Sequence, residues 1–134
     1  MGRRLAVQYF ALQAVAIAAW WVLLLFIPGA NQLFVPHGVP SRSIGAFLPG
    51  DVVLVVGSLL VAGGNRSTWA APLAWTVAGA MVYATSMTVV HWTLGTITAL
   101  SALLMILAGA GSIAAALALT RSVFHEAVPA GPVT

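Results

Sequence analysis

Long apolar runs alternate with short polar segments along the whole chain. Leu5 to Ile27 carries no charge and ends at Pro28-Gly29. Ile44 to Ala62 carries a single acid, Asp51. Ala71 to Val90 carries no charge, and Ile97 to Leu119 closes at Thr120-Arg121. About 20 apolar residues suffice for a helix to cross a bilayer. The pattern predicts four spanning helices at 5–27, 44–62, 71–90 and 97–119 in one domain over 1–121, with a polar tail over 122–134. The expected fold class is all-α: an integral membrane four-helix bundle, with short loops and one longer outer loop between helices 1 and 2.

Local signals refine this outline. The apolar core of a signal peptide is about 7–15 residues, shorter than Leu5–Ile27, so the first run is expected to stay as a helix. The loop Gly29–Ser43 contains Pro36 and Pro40, and its apolar Leu33-Phe34-Val35 suggests an interfacial or re-entrant piece. Pro49-Gly50 removes a backbone donor and loosens the chain, which places the start of continuous helix 2 at Asp51. Pro72 suits the first turn of helix 3. Trp69 and Trp75 mark one membrane interface and Trp92 the other.

Composition agrees with a lipid-facing surface: 61% of residues are hydrophobic and 5% charged, against about 25% charged in soluble domains. The absence of cysteine excludes thiol redox chemistry, disulfides and thiolate metal sites. The net charge of +3 comes from scattered arginines rather than a clustered patch, so no nucleic-acid partner is expected. With four crossings, Arg3, Arg4, Arg66 and Arg121 fall on one side and Arg42 on the other. The positive-inside rule then puts both termini in the cytoplasm, with the plasma membrane as the expected location.

In lipid, close contact between small residues marks helix interfaces. Ala108, Ser112 and Ala116 form such a stripe on helix 4, with Gly111, Ala115 and Leu119 beside it, and Ala80, Ala84 and Thr88 form one on helix 3. The short connection between these helices favours pairing within one chain. A homo-oligomer contact through helix 4 is the alternative.

Candidate chemistry gathers at the predicted outer face. Asp51 is either a helix-start carboxylate that caps free backbone N–H groups, compatible with a structural salt bridge to Arg42, or a proton carrier or ligand anchor. His91 beside Trp92 is either an interfacial residue or, with Asp51, one half of an acid–base pair. His37, Arg42, Tyr83 and Ser86 are the candidate ligand-binding residues. Gln13, with Tyr9 one turn before it, calls for an interhelical hydrogen bond. No cofactor or metal is expected: no phosphate loop, nucleophile elbow or zinc-protease motif occurs.

Trp20-Trp21, Pro49-Gly50-Asp51 and Tyr83-Ala84-Thr85 resemble segments of the four-helix hydrophobic modules that accompany isoprenylcysteine methyltransferase-type domains in some bacterial chains. The resemblance implies a membrane module and carries over no activity or site residue. The expected function is a non-catalytic accessory subunit or a binder of a lipophilic small molecule, in contact with the bilayer and a larger membrane complex. The alternatives are an isomerase or cyclase acting on a lipid-like substrate through Asp51 and His91, and a small proton-coupled transporter using Asp51.

Overall fold

The computed structural model describes residues 1–37, 45–64 and 67–127, with side chains described as far as position 123. Among these residues the chain is all-helical. Helix α1 spans Arg3–Phe26, a short 3-10 helix spans Ala30–Leu33, and α2, α3 and α4 span Leu48–Gly63, Ala70–Thr93 and Ala99–Ala127. Each of the four α-helices is long and apolar enough to cross a membrane once the turn Gly45–Phe47 is counted with α2.

Chain punctuation sets these bounds. Helix α1 stops at Ile27, the residue before Pro28, where the proline ring disfavours helical backbone. Gly29 then turns with φ +83°, a left-handed conformation that suits glycine. Helix α3 ends at a similar device: Gly95 has φ +71°, and Thr96 N–H returns to the His91 carbonyl at 3.0 Å.

Pro49 and Gly50 do not interrupt α2. They lie in its first turn, which begins at Leu48. A proline there forfeits no helical hydrogen bond, because the first-turn N–H groups have no partner inside the helix. The continuous segment Gly45–Gly63 has 19 residues, about 28 Å at 1.5 Å per residue. Two further ends move outward, α3 running through His91 to Thr93 and α4 past Arg121 into the predicted tail, while α1 ends one residue earlier at Phe26 and α4 starts two residues later at Ala99.

The packed pairs are α1 with α2, α2 with α3, α3 with α4 and α1 with α4, so the bundle closes in chain order. Cross-helix bonds show that α1 and α2, and α3 and α4, are antiparallel, and the approach of Gly57 to Val77 and of Gly64 to Trp69 shows the same for α2 and α3. Gln13 meets Ser58 while Trp21 meets the earlier residue Asp51. Thr85 meets the Met105 carbonyl while Trp75 meets the later residue Thr120. The start of α1 and the end of α4 therefore share one end of the bundle.

Small residues allow these approaches. A Cβ on Gly57 would come within 2.7 Å of Val77 on α3. One on Gly109 would come within 2.9 Å of the Thr85 hydroxyl, and one on Gly111 within 2.5 Å of the Tyr9 ring. Ala108, Ser112 and Ala116 on α4, and Ala80, Ala84 and Thr88 on α3, are all buried or partly buried inside the chain. The buried centre otherwise consists of Phe10, Leu54, Val61, Val77, Met81 and Leu119, with alanines between them.

Candidate functional site

Two polar places stand out in this apolar bundle. The first is interior. Tyr9 and Gln13 lie one helical turn apart on α1, so both face inward between α2 and α4. Gln13 Nε2 donates to Ser58 Oγ on α2 at 3.2 Å. Ser112 Oγ on α4 donates to Gln13 Oε1 at 2.7 Å. Tyr9 OH donates to the Ala108 carbonyl at 2.6 Å and lies 3.4 Å from Ser112 Oγ. Three helices are thereby joined by side chains that are almost wholly removed from the surface: Ser58 and Ser112 are fully buried and Gln13 is 5% exposed.

The second place is the end of the bundle formed by the start of α2 and the end of α3. Asp51, in the first turn of α2, accepts a hydrogen bond from Trp21 Nε1 at 2.9 Å. One turn earlier, the Phe47 ring meets His91 edge-on, with centroids 5.6 Å apart. His91 Nδ1 lies 2.9 Å from Thr96 Oγ1, and that hydroxyl also bonds the His91 carbonyl.

The 3-10 segment closes the same end of the bundle. Phe34 packs against Trp20 with centroids 3.8 Å apart. Thr98, just before α4, donates from its hydroxyl to the Leu33 carbonyl at 2.9 Å and from its backbone N–H to the Phe34 carbonyl at 3.0 Å. Ser101 Oγ adds a bond to the Phe34 carbonyl at 3.2 Å. Thr98 also caps α4, accepting from the Ser101 N–H at 3.4 Å. The apolar Leu33-Phe34-Val35 thus folds back on the bundle, and Val35 is buried.

The sequence candidates separate accordingly. Asp51 and His91 occupy the same end, but their side chains turn differently: Asp51 toward α1, His91 toward the Gly95 turn. No hydrogen bond joins them. Tyr83 and Ser86 are exposed on the outward face of α3, and the Ser86 hydroxyl bonds the Val82 carbonyl at 2.9 Å. His37 is exposed, and Arg42 lies outside the described residues. Among the described residues no group of three or more histidines and acids is placed to hold a metal ion.

Gln13 is the one member of the interior network that its polarity singles out in sequence. Tyr9 is legible only as its neighbour one turn away. Ser112 reads as a small packing residue, and Ser58, alone in an apolar run, gives no signal beyond its polarity.

No family model, curated protein or solved structure matches the chain.

Proposed function

We propose that this chain is a non-catalytic integral membrane module, spanning the bilayer four times with both termini in the cytoplasm, that acts as an accessory subunit in the plasma membrane. The observation that carries this reading is the internal pairing of its polar groups. Among the described residues no buried side-chain nitrogen or oxygen lacks a hydrogen-bond partner. Catalytic sites in membranes need polar groups held ready for a substrate. Here Gln13, Ser58 and Ser112 bind one another, Asp51 holds Trp21, and His91 holds the α3–α4 turn.

The rest of the surface suits lateral contact with lipid and protein. Large hydrophobic side chains are exposed on every helix. The proposed orientation follows from antiparallel neighbours combined with arginine placement. Arg3, Arg4 and Arg121 belong to the end that holds the start of α1 and the end of α4; Arg66 lies outside the described residues.

Complementation tests the reading. In cells lacking the native chain, Asp51→Asn and His91→Gln are expected to restore the phenotype, with the module migrating in native gels in an assembly larger than its own 13.8 kDa. Failure of either variant to complement, at normal abundance and assembly, would overturn it in favour of chemistry or proton transport at the α2 start.

A further inference from the structure

The outward face of α3 does not match the rest of the surface. Its helix has the lowest mean hydropathy of the four, 1.5 against 2.0 for α1, 2.0 for α2 and 2.3 for α4. Thr76, Gly79, Tyr83, Ser86 and Val90 are all exposed and follow one another at alternating intervals of three and four residues. That spacing is the seam of a helix that pairs with another helix.

Tyr83 gives the face its demand for a partner. It is 68% exposed, and among the described residues its phenol has no hydrogen-bond partner. At 1.5 Å per residue it lies about 20 Å along α3 from Ala70 and about 15 Å from Thr93, deep in the span and too far from either end to reach water. A hydroxyl left there in hydrocarbon has no acceptor. The same face supplies acceptors. The hydroxyl protons of Thr76 and Ser86 are engaged by the Pro72 and Val82 carbonyls of α3 itself, at 3.2 and 2.9 Å, which leaves both oxygens with a free lone pair. Gly79 supplies room, because a Cβ built on it meets nothing within 4 Å.

We propose that α3 pairs with α3 of a second copy of this chain through this face. The inference rests on the membrane-module reading and names its first partner. Hydrogen-bond complementarity selects a second copy: the unmet donor of Tyr83 and the free acceptor of Ser86 lie within one turn of each other on a single face, with the Thr76 acceptor two turns away. Copies inserted in one orientation bring two α3 helices together in parallel, at matched depth. Gly79, Val82, Tyr83 and Ser86 then frame the hole that receives a side chain from the partner helix. A two-fold pairing forms the Tyr83 phenol to Ser86 hydroxyl bond twice, once in each direction. The α4 stripe of Ala108, Ser112 and Ala116 is already filled by the chain's own helices, so the copy-to-copy contact falls to α3.

The cysteine-free chain allows a direct test. Single variants Gly79→Cys and Val90→Cys, with Val56→Cys and Leu104→Cys as controls on the outward faces of α2 and α4, are oxidised in lipid vesicles at high dilution. Disulfide-linked dimer is expected at positions 79 and 90 at least fivefold above positions 56 and 104. Adding Tyr83→Phe to the Gly79→Cys chain, which keeps the ring and the Ser86 acceptor and removes only the phenol hydroxyl, is expected to lower the linked fraction severalfold with the helical content unchanged. Equal linkage at all four positions, or linkage indifferent to Tyr83→Phe, would overturn the proposal. Either result leaves the complementation by Asp51→Asn untouched, so the dimer and the module reading fail separately.

Discussion

Gln13 and Ser112 lie 99 positions apart in sequence and 2.7 Å apart across the α1–α4 interface. Their bond, continued to Ser58, joins three of the four helices at one level of an otherwise apolar interior. Replacing Gln13 by leucine leaves the Ser58 and Ser112 hydroxyls with one partner fewer. Gln13→Leu is expected to lower stability in detergent by about 2 kcal/mol, and a double-mutant cycle with Ser112→Ala to return about 1 kcal/mol of coupling. Tyr9→Phe should cost less than Gln13→Leu, because the Ala108 carbonyl keeps its helical partner. Reversible unfolding in mixed micelles measures all three.

The glycines of α4 and α2 make opposite predictions. Gly111→Ala sets a methyl group against the Tyr9 ring at 2.5 Å, and a ring held by its own hydrogen bond moves only with loss of that bond. A loss of about 1–3 kcal/mol is expected. Gly50→Ala in the first turn of α2 meets nothing within 4 Å and should be neutral or stabilising by up to about 1 kcal/mol, through lower backbone entropy in the unfolded chain. Thermal midpoints of the two variants in the same detergent decide the comparison.

Asp51 and Trp21 form a separable pair. Asp51→Asn keeps a carbonyl oxygen to accept the indole N–H, whereas Asp51→Leu and Trp21→Phe each remove one side of the bond. The last two are expected to lose about 1–2 kcal/mol, and Asp51→Asn under about half of that. Amide exchange at the first turn of α2 should rise in the same order.

Thr98 and Ser101 hold the 3-10 segment to α4. Thr98→Val combined with Ser101→Ala removes both side-chain bonds to the Leu33 and Phe34 carbonyls. Amide exchange over residues 30–35 is expected to quicken at least tenfold, while the global unfolding free energy falls by less than about 1 kcal/mol. Equal acceleration throughout α1 and α4 would show instead that the segment supports the whole bundle.

Helix number, helix class and approximate position were legible in the residue pattern, because a span of unbroken apolar residues has few other physical solutions. The pairing of α3 with α4 followed from a connection too short to allow anything else. Pro49-Gly50 misled, since proline and glycine mark either a break or a first turn, and the choice depends on whether the preceding residues are helical. Here Gly45–Phe47 already coil as a 3-10 turn.

By itself, the order of residues determined four long apolar helices, polar connections between them and a composition poor in charge, all properties of single segments. Only the tertiary structure decided which polar groups meet. Helix rotation about its own axis is set by the packing of Gly57, Gly109 and Gly111 against distant side chains, and that rotation turns Gln13 inward to Ser58 and Ser112 and leaves Tyr83 facing out. No local pattern encodes it, because one residue's facing depends on contacts made as far as 99 positions away.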